Sequence, residues 1–177
     1  GSVVRAPVFR IVNNNTTQKP RLVFSSLSET GHGTIILVDD IFNIQEYTSS
    51  SANPFTPKLT NNPALSSSLE PFTGTTLANA IYINRKDRVP VRIYGSSYGS
   101  LSSGTNDWQS TWRAGSIRAF GDFLLAINMT EGSALRPNRV RWSDLVLADG
   151  TEPTWNAADA TTSAGFNDIV QMKTGLV

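Results

Sequence analysis

Gly95-Ser96-Ser97-Tyr98-Gly99 spells G-x-S-x-G, the spacing of a hydrolase nucleophile elbow. An elbow needs a strand before the serine, a helix after it and a histidine as base. Tyr94 closes a strand-like run, but the following SLSSGTND has no helical pattern, and the one histidine, His32, sits in the Gly-flanked turn ETGHG. The stretch therefore reads as a Gly/Ser-rich connection. Glycoside hydrolysis needs two carboxyl groups facing each other across a cleft. Asp107, Asp122, Asp144, Glu152, Asp159 and Asp168 are available, and no spacing singles out a pair. Asp39-Asp40 lacks the repeated oxygen-ligand spacing of a calcium loop and reads as a hairpin turn. One histidine and no cysteine leave no zinc ligand set. No catalytic residue, metal or cofactor is assigned, and the chain is expected not to be an enzyme.

The aromatic residues admit two roles. Trp108, Trp112, Trp142 and Trp155, with Tyr82, Tyr94 and Tyr98, can stack on sugars or fill the core of a β protein. Trp108 and Trp112 are the candidates for a glycan platform.

These residues must be placed by strands. A chain of 177 residues is long enough for one domain with a real core, and 1–177 is read as a single β domain. Without cysteine, its stability must come from packing or assembly. A net charge of +1 gives no electrostatic footprint for phosphate binding. The basic runs Arg85–Arg88 and Arg136–Arg141 fall at expected strand reversals. No run has the length of a membrane span, and the N-terminus lacks the basic-then-apolar form of a signal peptide.

A repeat organises the chain. Thr34–Tyr47, Asn79–Tyr94 and Phe123–Trp142 each read as an apolar strand, a polar reversal and a second strand closing on an aromatic. The closing residues Tyr47, Tyr94 and Trp142 lie 47 and 48 residues apart. Such a period, about 40–50 residues, is that of four-stranded propeller blades. The fold is expected to be all-β and antiparallel, with propeller-like blades or, alternatively, a β-sandwich. The units lie near 21–47, 79–94 and 117–147.

Along the chain, strands are expected over Val3–Val12, Arg21–Leu27, Thr34–Val38 and Ile41–Tyr47. Thr34–Val38 is a continuous apolar run of the kind buried on both faces. Thr48–Ser68 carries Pro54, Pro57 and Pro63 and reads as a long loop or insertion. Leu77–Ile83 and Val89–Tyr94 form the next strand pair, and Gly95–Gly104 a flexible connection. Ile117–Phe120, Phe123–Asn128, Arg139–Leu147 and Phe166–Met172 complete the strands.

The third unit resembles a known family. RPNRVRWSDL (Arg136–Leu145), PTWNAADATTSAGFNDIVQM (Pro153–Met172) and WQSTWRAGSIRAFGDFLLAINMTEG (Trp108–Gly132) are similar to podophage tail nozzle proteins, also called tail hub or tubular B-type proteins. Pro20–Tyr47 resembles them less specifically. The resemblance implies a propeller-containing virion protein of the phage tail. It would be a homo-oligomer in a six-fold ring below the portal and tail adaptor, around the channel through which genomic DNA transiently passes. It implies no enzyme activity and no cofactor. It makes Trp142 and Trp155 blade-packing residues, a role that Tyr47 and Tyr94 share as closing aromatics. Family members are longer, and three units cannot close a propeller, so partner chains or further sequence are expected. The alternative is a receptor- or glycan-binding β module of a phage fibre or adhesin, using Trp108 and Trp112.

Overall fold

The computed structural model describes residues 20–27, 33–47, 55–59, 70–102 and 107–169, and its regular elements there are all strands. They form three antiparallel four-stranded sheets in chain order. The first holds β1 (Pro20–Leu27), β2 (Gly33–Asp39), β3 (Ile44–Tyr47) and β4 (Phe55–Leu59). The second holds β5 (Phe72–Leu77), β6 (Ala80–Arg85), β7 (Val91–Tyr94) and β8 (Ser97–Ser100). The third holds β9 (Trp112–Phe120), β10 (Phe123–Glu131), β11 (Ala134–Trp142) and β12 (Gly165–Asp168). Each strand pairs with its predecessor, so every sheet is a meander.

The repeat seen in the sequence is this sheet. Tyr47, Tyr94 and Trp142 end β3, β7 and β11, the third strand of each. The fourth strands depart from expectation. β4 lies inside the proline-rich stretch read as a loop, and β8 inside the stretch read as a flexible connection. Both are end strands of their sheets, where Pro57 is tolerated because a missing donor need not face a neighbour. The run Leu77–Ile83 is two strands, divided at Ala78-Asn79, where both residues take positive φ (48° and 62°). That backbone matches a two-residue hairpin turn. β11 ends at Trp142 rather than Leu147. The strand expected over Val3–Val12, His32 and the residues after Ile169 lie outside the described residues.

The middle sheet is covered on both sides. Its Ile81, Ile83, Val91 and Ile93 form one core with Ile36, Val38, Phe42 and Ile44 of the first sheet. Its Ala80 and Tyr82 form another with Ala114, Ile117, Leu124, Ala126 and Met129 of the third. Alternate residues of a strand point to opposite faces, so β6 must be apolar at consecutive positions. It is buried from end to end. β2 carries the same kind of run but, among the described residues, only one of its faces is packed against another sheet: Ile36 and Val38 are buried, while Leu37 is half-buried and Ile35 is 39% exposed. The expected two-sided burial of this run is thus not met among the described residues, because β2 belongs to an end sheet of the stack they form.

The sheets approach closely at their first strands. Phe24 of β1 lies where a Cβ on Gly74 of β5 would be, so the backbone can pass there only without a side chain. β9 is an end strand whose outward amides would otherwise lack strand partners. The Ile117 and Ala119 amides donate to the hydroxyls of Thr73 (3.4 Å) and Thr75 (3.2 Å) on β5. The buried Asn84 side chain donates to Thr73 Oγ1 (3.2 Å) and to the Ala114 carbonyl (3.0 Å). Threonines on β5 therefore satisfy the edge of the next sheet.

The turns at one end are also tied together. Asp39 Oδ1 accepts from the Ile41 and Asn43 amides at 3.0 and 2.8 Å, and its Oδ2 accepts from Asn43 Nδ2 at 2.9 Å. Its carboxylate thus shapes the β2–β3 turn, as the sequence reading expects. The turn holds Phe42 at φ 67°, a strained value for a bulky residue, and its ring is fully buried and stacked 5.8 Å from Phe72. The buried Arg85 guanidinium pairs with Asp87 (3.0 Å), lies 5.2 Å from the Phe72 ring and reaches the Asp40 carbonyl (3.5 Å).

Replacing Thr73 and Thr75 together by Val leaves two part-buried amides unsatisfied. The double variant should lose about 1–3 kcal/mol in denaturant unfolding. Amide exchange should accelerate at Ile117 and Ala119 ahead of the rest of β9. Unchanged exchange there would remove the hydroxyls from the account of this edge.

Candidate functional site

The residues singled out by type collect where the middle and third sheets meet. Trp155 is fully buried there and Trp108 is 3% exposed. Their rings meet edge-to-face at 4.9 Å and 83°, and Trp108 meets Trp112 at 5.9 Å and 75°. Such geometries place the positive ring edge on the negative ring face. Trp108 Nε1 donates to the Trp112 carbonyl at 3.4 Å. The ring that a glycan platform would need to expose is thus enclosed at Trp108. Half-buried Trp112 carries the Arg141 guanidinium 4.0 Å from its ring centre.

Arg141 begins a ladder across β10, β11 and β12. It lies 4.8 Å from the Phe166 ring, whose centre is 4.3 Å from the Arg139 guanidinium. Glu131 accepts from both arginines, Arg139 at 2.7 Å and Arg141 at 2.9 Å. Arg139 also holds Asp168 through two parallel bonds of 2.7 and 2.8 Å. Arg139 pairs with Asp168, and Arg141 with Phe166, directly across the strands. Two arginines meet two carboxylates, so the ladder is neutral. Bidentate guanidinium–carboxylate pairing is among the stronger polar contacts available to a protein. The hydrogen bonds from Arg139 hold the Asp168 carboxyl below its usual range, and the same bonds raise Arg139.

The connection from β11 to β12 is fastened by the Trp142-Ser143-Asp144 stretch. Ser143 Oγ accepts from the Leu124 amide (3.1 Å) and donates to the Asp144 carbonyl (2.6 Å). Asp144 Oδ1 accepts from the Ser163 amide at 2.9 Å. Tyr94 works from the middle sheet: its hydroxyl donates to the Ala148 carbonyl at 3.0 Å, and its ring lies against Gly150. Beside it, Arg92 donates to the Gly150 carbonyl at 2.6 Å and lies 3.7 Å from Glu152.

Trp142 and Tyr47 stand elsewhere. Trp142 pairs with Leu125 and Gly165 across the strands, on the face of the third sheet turned away from the middle one. Its indole donates to the Ser163 carbonyl at 2.7 Å, and its ring comes within 2.5 Å of where a Gly165 Cβ would be. Tyr47 pairs with Ile35, on the outward face of the first sheet. The four aromatics assigned to packing thus divide: Trp155 and Tyr94 lie between sheets of this chain, and Trp142 and Tyr47 at opposite ends of the stack.

Sequence reasoning missed Arg139, Arg141, Glu131, Thr73 and Thr75. The alternation Arg139-Val140-Arg141 placed both guanidinium groups on one strand face, a signal that was legible. Their partners on β10 and β12 depend on strand pairing and were not. Gly95-Ser96 proves to be a hairpin turn with Ser97 opening β8, so G-x-S-x-G here is no strand-to-helix elbow. Among the described residues no group of three or more His, Cys, Asp or Glu could hold a metal ion, and no helix is long and apolar enough to cross a membrane. Comparison with protein-family models and with curated proteins gives no match for this chain.

Trp155→Ala should cost about 3–5 kcal/mol in denaturant unfolding, as for other buried tryptophans. A loss below about 1 kcal/mol would contradict its central position. The Asp168 ion pair stabilises the fold above the carboxylate's unfolded pKa, and that stabilisation is lost as pH falls through the lower folded value. Asp168→Asn should therefore be less stable than the unmodified chain at pH 7, and the two should converge in acid. Unfolding midpoints measured across the pH range check this, and a constant gap would contradict it.

Proposed function

We propose that this chain is a structural component of a podovirus-type phage tail, nozzle-like, acting by assembly around a genome-ejection channel rather than by catalysis. The observation that carries the reading is the stack itself. Three successive four-stranded meanders pack face to face, with β1 beside β5 and β5 beside β9. That arrangement supports a reading of the sheets as neighbouring propeller-like blades. The stretches that resemble the nozzle family most, Trp108–Gly132, Arg136–Leu145 and Pro153–Met172, supply β9, β10, most of β11, β12 and the fastening at Ser143 and Asp144.

The site's chemistry suits this role. Its arginines are spent on Glu131, Asp168 and aromatic faces, which rigidify a module and leave little free charge. A conduit wall should let DNA slide, and a chain of net charge +1 avoids the tight phosphate binding of a basic groove. The partners of this reading are further copies, tail adaptor and other tail proteins, with DNA in transit.

Mass spectrometry of tail fractions from purified virions tests the assignment. The expected result is the tryptic peptide Trp142–Lys173 in the tail fraction, in a copy number matching a ring. Its absence from virions would overturn the tail reading.

A further inference from the structure

Among the described residues, nothing covers the two ends of the stack. On the first sheet, Val23 is 63% and Ile35 39% exposed, beside half-buried Tyr47. On the third, Phe120 is 71% and Ile127 44% exposed, beside half-buried Trp142. Strand pairing places each trio on the outward face of its sheet. We propose that these two faces bind each other between copies: the β1–β4 sheet of one copy packs on the β9–β12 sheet of a second, and two copies close a ring of six sheets. The inference rests on the blade reading above and does not depend on the virion role.

The contact would continue interfaces the chain already makes. Every sheet has the same meander order, and the stack has a direction: the leading face of the first sheet meets the trailing face of the second, and the leading face of the second meets the trailing face of the third. The ends left over are one trailing face and one leading face, the combination that mates twice within the chain. β2 and β10 also have the sequence of strands buried on both sides. Ile35 and Leu37 back onto Ile36 and Val38, and Leu125 and Ile127 onto Leu124 and Ala126. In the middle sheet, where such a strand has two neighbours, β6 is wholly buried.

The edge chemistry recurs as well. Ser116 stands four residues before the end of β9, as Thr73 stands four before the end of β5. Thr73 accepts from the first strand of the next sheet. In the ring, Ser116 would face β1 of the second copy, an end strand of its sheet.

Stoichiometry follows from closure. Closed propellers hold roughly four to eight sheets. The described residues of each copy form three sheets, so two copies of these give six, the one multiple of three in that range. Head-to-tail contacts between unlike faces either close or run on as filaments, and here a two-fold axis makes both contacts at once.

Light scattering on the purified 177-residue chain should give twice the 19.2 kDa chain mass. Ile35→Glu and Ile127→Lys, both at partly exposed positions, should each give one-chain masses with an unchanged circular dichroism spectrum. Mixed in equal amounts they should return to the two-chain mass, because one unaltered contact and one matched Glu–Lys contact can then form together. Like-on-like pairing of faces would not be rescued by mixing, and that result overturns the proposal. So does an unmodified chain that stays at one-chain mass at every concentration, or one that grows beyond two copies. Amide exchange on the same samples separates the underlying reading. One-chain mass with Ile117 and Ala119 still protected removes the closure and leaves the blades. Loss of protection at both removes the blade stacking too.

Discussion

Burial of the middle sheet on both faces is the constraint on which the rest depends. A sheet with one solvated face needs apolar residues only at alternate positions, but a central layer needs them at nearly all. β6 meets that demand with Ala80–Ile83, and beyond them Asn84 and Arg85 are also buried, Arg85 paired with Asp87 of its own turn and each also reaching a backbone carbonyl across a sheet boundary. Asn84 reaches the Ala114 carbonyl on one side, and Arg85 reaches the Asp40 carbonyl on the other. Each buried large apolar side chain contributes about 1.5–3 kcal/mol. The two cores flanking β5–β8 therefore outweigh any of the surface ion pairs, whose usual worth is about 0–1 kcal/mol.

From that layer the remaining features follow in sequence. Packing sheets against both faces brings β1, β5 and β9 together, and the first strand of the third sheet is left with an unpaired edge. Thr73 and Thr75 meet it. The connection between β11 and β12 must then cross the open end of the second core. It does so by inserting Trp155 and anchoring through Ser143, Asp144 and the Tyr94 hydroxyl. The Arg–aromatic ladder lies at the rim of the same core, with Arg141 over the half-buried Trp112 ring and Phe166 still 45% exposed.

Much of this fold was legible in the sequence, for a physical reason. Among the described residues the second strand of each sheet holds the most buried apolar residues, and the third strand closes on an aromatic. Tyr47, Tyr94 and Trp142 therefore report the true period. What escaped was polar by function. β5 is threonine-rich because its side chains serve a neighbour's edge, and β8 and β4 are end strands that need neither a continuous apolar run nor freedom from proline. Arg139 and Arg141 looked like loop charge because their partners lie on other strands, at separations no local pattern records. The separation of Trp155 and Tyr94 from Trp142 and Tyr47 depended on strand register, which a single aromatic position does not reveal.

Native-state hydrogen exchange of the β6 amides tests the central claim most directly. Two-sided burial predicts that Ile81 and Ile83 exchange only through global unfolding, with the same free energy that denaturant titration reports, while the end strands β4 and β8 open at lower cost. If Ile81 and Ile83 instead exchanged through local opening, no more slowly than β8, the middle sheet would not be the layer that holds the other two.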